Sequence, residues 1–370
     1  MRILHVIPFL WSGAGDVLTR LALSQKQNAT VAVVTSGRSK GESDWESYRT
    51  RLNEAGIEHF EIDLFNRDPA VFWQSVSRLR ETIAEFSPDL VHCHAGVPSA
   101  AAAVVRDSGS KQFTLIGTLN SWGQGRPDWM DTMDLWGFGR CDRLHCISED
   151  YRQILIRSGI AADRIGLIPW GLALDKIRAS SSENELSQSS LKRLGFVGRI
   201  EPRKGQLPLV EAFDRLRQAG TDANLELIGP IADPDYARQI QTTIKARKLD
   251  DHVVMRGRVP NVYSDLSRWD VFVSLSSDEG QGMAILEAMA LGVPVVSTDI
   301  PGVRDFLKHQ ENGLVVDPPS PERVAETLSW ALSHQEETQA LATRAKDMVD
   351  SRYRWETTVN SMESFYALAT

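Results

Sequence analysis

Short runs of β-branched residues alternate with longer amphipathic runs along most of the chain, and they do so in two successive series. In the first, residues 3–7, 30–35, 57–64, 90–93 and 113–117 read as strands, with helical runs at 17–26, 45–55, 70–86 and 99–106 between them. Strand character returns at 143–147 and 165–168, with a helix from about Ser148. Parallel strands cannot be joined by a tight turn and need a crossover, so this alternation predicts βαβ units on a parallel sheet. The runs ILHVI and LVHCH are apolar almost throughout, as expected of strands covered by helices on both faces. A second series of the same kind starts at Leu194, with strands at 194–197, 225–228, 253–255, 271–275 and 293–297 and helices at 207–218, 235–247 and 282–291.

Two doubly wound α/β domains follow from this pattern. Between them the stretch ASSSENELSQSS, residues 179–190, is polar and serine-rich with no apolar face, and reads as a flexible connection. After Pro321 the pattern is helical, with Val324, Leu328 and Leu332 on one stripe, and 355–368 is a further amphipathic helix. The expected division is therefore 1–178, a linker at 179–190, a second domain at 191–352 and a C-terminal segment at 353–370.

A length of 370 residues suffices for two cores. With 49 acidic against 41 basic residues, the net charge of −8 gives no general pull toward nucleic acid or anionic lipid, so no nucleic-acid partner is expected. Cys93, Cys141 and Cys146 are an odd number without framework spacing, which reads as free thiols in a reducing compartment and a cytoplasmic chain. The opening ILHVIPFLW has one preceding positive charge, an internal Pro8 and no clean cleavage site, so export is not expected. No run approaches the roughly 20 apolar residues of a membrane span, and the apolar stretch near 283–296 is broken by Glu287 and Pro294.

Two loops carry most of the chemistry. In SSDEGQGMAILEAMALGVPVV, residues 276–296, a strand feeds a loop with Gly280 and Gly282, and a helix then starts near Gly282. Unpaired amides and the positive helix end converge there on a place suited to phosphate. Glu279 precedes that helix and Glu287 lies about one and a half turns inside it, so two carboxylates are offered to different parts of one ligand, and carboxylates suit paired sugar hydroxyls. The second loop, GRIEPRKG at 198–205, brings Arg199 and Lys204 to the carboxyl edge of a strand, where a diphosphate can be neutralised. It is not GxxxxGKS, which disfavours a P-loop phosphotransferase. His92 and His94 project to one face of a strand, but no third ligand stands at a plausible spacing, so no metal is expected. Trp122, Trp129 and Trp136 lie in a glycine-rich region, and their aromatic faces suit stacking on an acceptor sugar; 129 and 136 are at helical spacing, which reads more readily as core.

GRIEPRKG, the block EGQGMAILEAMALGVPVVSTDIPGVRDFL, RLHCISEDYRQILIRSG with RIGLIPWGL, and the opening glycine loop occur in an order similar to that of the retaining family 4 glycosyltransferases, also called group 1. The resemblance covers almost the whole chain. It implies the GT-B fold: two doubly wound, Rossmann-like α/β domains facing a cleft, with the C-terminal helix crossing back to the first. It also implies a retaining, hexosyltransferase-type enzyme using a nucleotide-diphosphate sugar, without cofactor or metal, in which the departing phosphate takes the acceptor proton. By similarity, His94, Arg199, Lys204 and Glu279 form the catalytic set. Gly13, Gly15, Arg258, Val259, Gly280, Gly282, Met283 and Glu287 bind the donor, and Asn120 and Trp122 face the acceptor. The acceptor class implied is a carbohydrate or glycolipid, in glycan, lipopolysaccharide or glycolipid synthesis, with peripheral membrane contact left open. Two positions depart from the pattern: Thr118-Leu119-Asn120 where a T-x-H segment is usual, and Trp170 where Asn is frequent. Asn cannot hold a proton near neutrality. A glycosyltransferase-like binding module and a sugar-nucleotide epimerase on the same fold therefore stay open, as do the sugar, the base, the acceptor and the oligomeric state.

Overall fold

The computed structural model describes residues 1–10, 12–37, 43–64, 68–109, 112–122, 128–181 and 191–369. It divides into two compact units, Met1–Trp170 with Glu356–Thr370, and Gly171–Trp355.

The first unit runs β1 (Arg2–Ile7), α1 (Ser12–Gln25), β2 (Thr30–Thr35), α2 (Ser43–Glu54), β3 (Glu58–Glu61), α3 (Pro69–Phe86), β4 (Leu90–Cys93), α4 (Gly96–Ser108), β5 (Thr114–Leu119), α5 (Asp128–Arg140), β6 (Arg143–Cys146), α6 (Glu149–Arg157) and β7 (Ile165–Leu167). The strands form one parallel sheet in the order β3-β2-β1-β4-β5-β6-β7. The winding reverses at β1, and at such a reversal the crossover helices part and open a crevice beyond the strand ends of β1 and β4. Every residue of β4 is buried, as its unbroken apolar run requires. The three cysteines are free and buried, and burial raises Cys93 well above its ordinary value and Cys141 and Cys146 to about 12, so they are inert as nucleophiles at neutral pH.

The second unit runs α7 (Leu174–Ser181), β8 (Lys192–Val197), α8 (Gln206–Gln218), β9 (Ala223–Ile228), α9 (Pro234–Ala246), β10 (Val253–Gly257), α10 (Val262–Leu266), β11 (Val271–Ser274), α11 (Met283–Ala290), β12 (Val295–Thr298), β13 (Leu314–Val316), α12 (Pro321–Ser333) and α13 (Gln335–Arg352). Its parallel sheet has the order β10-β9-β8-β11-β12-β13, with the reversal between β8 and β11. One apolar cluster gathers α8, α9 and α12, and another gathers α7, α11 and α13, so both faces are covered. Both doubly wound sheets are as the sequence pattern predicts.

The boundaries differ from those expected at 178/179 and 352/353. Leu172, Leu174 and Ile177 are buried in the second unit's cluster with Leu286 and Met289, so 171–178 belong to that unit and not to the first. Of the expected linker, 179–181 close α7, and 182–190 lie outside the described residues. The last helix, α14 (Trp355–Ala367), returns the chain to the first unit. There Phe365 fills the space above Gly166, where a Cβ would come within 2.6 Å of its ring, and Tyr366 is buried. No described helix is long and apolar enough to cross a membrane.

Candidate functional site

In the second unit, the loops that leave β8 and β11 lock together at the reversal. Gly205 has φ of 72°, and a Cβ there would sit 2.3 Å from the Leu275 carbonyl oxygen, so only glycine lets the first loop press on the second. The Ser277 amide donates to the Arg203 carbonyl at 2.9 Å, and the Arg203 guanidinium donates to the Asp278 carbonyl at 2.6 Å. Within this frame Lys204 Nζ lies 2.6 Å from Glu279 Oε1, which also accepts from Ser276 Oγ at 2.7 Å. Arg199 and Arg203 both reach Glu201 Oε1, at 3.1 and 2.9 Å. The predicted trio Arg199, Lys204 and Glu279 is thus held on one pair of loops, within a set of ion pairs.

Beside it, α11 starts at Met283 with Gly282 as its cap at φ of 70°, and no side chain caps its first amides. Gly280 lies against Gly302, where a Cβ would stand 2.4 Å from the Gly280 carbonyl oxygen. Glu287 Oε1 accepts from the Tyr263 hydroxyl at 3.1 Å. Val259, Tyr263 and Met283 pack on the same apolar cluster, and Arg258 directly precedes Val259. The sequence reading missed Tyr263, since a tyrosine on a five-residue helix carries no signal of its own.

In the first unit, Gly13 and Gly15 occupy the first turn of α1. A Cβ on Gly15 would strike the Tyr48 ring at 2.8 Å, whereas one on Gly13 would meet nothing within 4 Å, so Gly15 serves packing and Gly13 leaves open backbone. Asn120 follows β5, and its Oδ1 accepts from Trp170 Nε1 at 2.9 Å. The two positions that depart from the family pattern are therefore bonded to each other. Trp122 is partly exposed. Trp129 and Trp136, expected in the core, are 46% and 43% exposed. The reason is the close approach of α5 to α4: a Cβ on Gly137 would sit 2.6 Å from the Ala100 nitrogen, a gap too tight for an indole, and Met130 and Phe138 turn inward instead.

His94 stands just past β4, 6% exposed, its amide bonded to the Val6 carbonyl. The missing third imidazole is His5, paired across the sheet with His92, and ring nitrogens of His5, His92 and His94 lie within 4.8 Å of one another. That corrects the expectation that HxH has no third histidine beside it. Both nitrogens of His5 are engaged, by His94 Nε2 at 3.0 Å and Gln25 Oε1 at 2.7 Å, and both of His92, by the Tyr366 hydroxyl and Thr118 Oγ1 at 2.6 Å each. Burial pushes His5 and His145 down to about 4, and it drives His92 and His94 well below the ordinary value, with the neighbouring imidazoles adding to the effect. The cluster is a hydrogen-bonded set of neutral rings. A cavity of about 470 Å³ in the second unit, lined by Arg193, Asp270 and Pro294, lies at the amino ends of β8, β11 and β12, away from these loops.

Residues 11–176 match the sequence family described as Glycosyltransferase Family 4, and residues 178–348 match Glycosyl transferases group 1. An N-acetyl-alpha-D-glucosaminyl L-malate synthase of Bacillus anthracis is 29% identical over 184 residues, 50% of this chain and 47% of that protein. A GDP-mannose-dependent alpha-(1-6)-phosphatidylinositol monomannoside mannosyltransferase of Mycobacterium tuberculosis is 29% identical over 46% of each chain. The chain spans about half the length of these curated relatives. Among solved structures, Anabaena Alr3699/HepE in complex with UDP and glucose superposes with a TM-score of 0.82 at 19% identity over 100% of both chains. WaaG, a glycosyltransferase involved in lipopolysaccharide biosynthesis, gives 0.72 at 15% identity over 99% of both. At these identities the likeness shows a shared fold.

Proposed function

Because the chain belongs to the group 1 glycosyltransferases and has the GT-B fold, we propose that it transfers a sugar from a nucleotide-diphosphate donor to a hydroxyl acceptor with retained anomeric configuration. The observation that carries this reading is the ion network on the interlocked loops of the second unit, beside the uncapped start of α11. Arg199 and Lys204 take the diphosphate, and the amides from Gly280 to Met283 add donors to it. As phosphate draws Lys204 away, Glu279 is freed to accept from sugar hydroxyls. Glu287, steadied by Tyr263, takes the ribose diol, and Arg258 with Val259 flanks the base. In the first unit, Gly13 offers backbone and His94, Asn120 and Trp122 meet the acceptor.

In the reaction, the bond from the anomeric carbon to the diphosphate oxygen breaks as the acceptor oxygen bonds to that carbon on the same face. The acceptor proton passes to the departing phosphate. Charge grows on that phosphate, and the Arg199 and Lys204 side chains stabilise it without a divalent ion. The acceptor is a carbohydrate or glycolipid and the setting cytoplasmic in this scheme. HepE was solved with UDP and glucose and the mycobacterial relative is GDP-mannose-dependent, so UDP-glucose and GDP-mannose are the first donors to test. Titration calorimetry with UDP and GDP, followed by mass analysis of acceptor mixtures, tests the reading. Binding of one nucleotide with sugar transfer is the expected result, and no nucleotide binding would end it. Asn120 in place of an ionisable residue favours one rival, a binding module; tight nucleotide-sugar binding with neither transfer nor donor hydrolysis would establish that rival.

A further inference from the structure

Seven buried side chains of the first unit, none more than 6% exposed, form one unbroken hydrogen-bonded chain from a backbone carbonyl to the end of β4. The Ile168 carbonyl meets His145 Nε2 at 2.7 Å, and His145 Nδ1 meets Thr118 Oγ1 at 3.0 Å. Thr118 meets His92 Nε2 at 2.6 Å, and His92 Nδ1 meets the Tyr366 hydroxyl at 2.6 Å. Gln25 Nε2 is 3.2 Å from Tyr366, its Oε1 is 2.7 Å from His5 Nε2, and His5 Nδ1 is 3.0 Å from His94 Nε2.

The direction of every bond follows from one end. A carbonyl only accepts, so His145 carries its proton on Nε2. Burial keeps the rings neutral, and no carboxylate is hydrogen-bonded to any of the four among the described residues, so each ring has a single N–H. His145 Nδ1 therefore accepts, and Thr118 gives it its one proton. Thr118 must then accept from His92 Nε2, which leaves His92 Nδ1 to accept from Tyr366. With its proton spent, Tyr366 accepts from the Gln25 amide nitrogen, and this turns the Gln25 oxygen toward His5. His5 donates through Nε2, so its Nδ1 accepts from His94 Nε2. What remains at the end is the lone pair on His94 Nδ1, which has no partner among the described residues. It lies beside the sheet reversal, where the adjacent strand end offers Asn120, whose oxygen accepts from Trp170 and whose N–H groups are left to give.

We infer that this relay makes His94 an obligate hydrogen-bond acceptor through Nδ1, and that with the donating Asn120 amide it selects a substrate hydroxyl, which gives its proton in one hydrogen bond and receives another. Gln25 and Tyr366 are positioning residues that set this polarity from the core. The identity of that hydroxyl as the sugar acceptor rests on the transferase reading; the polarity of the relay does not.

The test is long-range ¹⁵N spectroscopy of the full chain labelled at histidine, without substrate, each ring assigned by single substitution. At pH 7 the expected result is a protonated Nε2 and a bare Nδ1 on His5, His92, His94 and His145. A protonated Nδ1 or an imidazolium at any of them overturns the relay. Free imidazoles also favour Nε2–H, so a second arm uses Tyr366→Phe, which unhooks Gln25 and lets its amide turn. His94 is then expected to shift toward mixed-tautomer values while His145, anchored on Ile168, keeps its own. Gln25→Leu should do the same, and serves if the first variant does not fold. An unmoved His94 in a folded variant overturns the relay, as does joint movement of His5, His92 and His94 on adding Zn²⁺ alone to the wild type. Because these readings need no substrate, they stand or fall apart from any measurement of sugar transfer.

Discussion

The two units reverse their sheets in the same way yet fill the reversal with opposite kinds of polar group. The second unit places charges there: Lys204 and Glu279, each 14% exposed at the side chain, and Arg199 and Arg203 sharing Glu201. The first places neutral rings there, His5, His92 and His94, under nearly complete burial, with His145 two strands along on β6. An ion pair at a loop edge can change partners, so an anion that brings its own charge can take the place of a carboxylate beside Lys204 or the arginines. Buried neutral groups are not exchangeable in that way, and they convey information by which atom holds the proton. The charged edge suits a diphosphate and the neutral edge suits an uncharged hydroxyl.

The largest test of this contrast is acid. His5 and His145 sit at about 4 when folded and near the ordinary 6.5 when unfolded, so between these values the unfolded chain binds more protons than the folded one. Stability is therefore fully present above pH 6.5 and lost as pH falls toward 4, by about 3 kcal/mol for each of these two rings. Hydrogen exchange at pH 7 and pH 5 should show amides of β1, β4, β5 and β6 losing protection ahead of those of β8 and β11. Equal loss in both sheets would break the contrast. Next in size, Lys204→Ala should weaken nucleoside-diphosphate binding by at least about tenfold, since a charged hydrogen bond is worth about 1.5–3 kcal/mol. Unchanged affinity in calorimetry would remove the second unit's loops from the donor site.

How much of this was legible in the sequence follows from how far apart the partners lie. The strands declared themselves because burial on both faces makes each a local apolar run, and Arg199, Lys204 and Glu279 did so because each follows such a strand directly. β13 is three residues long, and α5 is interrupted by Gly137 and Gly139, so neither left a period to read. The serine-rich stretch drew the expected boundary, but the chain changes units at Trp170/Gly171, where Gly171 presses on the Arg354 backbone, a Cβ there lying 2.3 Å from its carbonyl oxygen. No composition marks that contact. The relay was hidden for the same reason: Gln25 and Tyr366 are 341 positions apart and His5 and His94 are 89 apart. The one available signal was a histidine inside each of three strands, β1, β4 and β6, which became informative once β1 and β4 were neighbours with His5 opposite His92.

Smaller effects sharpen the contrast within the charged edge. Glu287→Gln keeps the size of the side chain but leaves one acceptor oxygen for a diol, so donor affinity should fall several-fold while the melting temperature stays near wild type. Tyr263→Phe removes the 3.1 Å bond to Glu287, about 0.5–1.5 kcal/mol, and should raise the donor KM less than Glu287→Gln does. A large loss of melting temperature with full activity per folded molecule would make Glu287 a structural residue.

The smallest effect concerns the neutral edge, at the bonded pair Asn120 and Trp170. Trp170 Nε1 holds the Asn120 oxygen at 2.9 Å, and Trp170 is itself buried against the His145 ring at 4.7 Å between centroids. If that bond serves to aim the Asn120 amide, losing it frees the amide to turn, which costs about 1 kcal/mol in acceptor binding and leaves the donor untouched. Trp170→Phe should then raise the acceptor KM by about fivefold with nucleotide affinity unchanged. Asn120→Ala should do at least as much, and the double variant should add little to Asn120→Ala alone, a coupling of about 0.5–1.5 kcal/mol. Strict additivity would mean that Trp170 acts through packing on His145 and not through Asn120. A fall in nucleotide affinity in either variant would mean that the neutral edge reads the donor as well, and the division of labour between the two sheets would be lost.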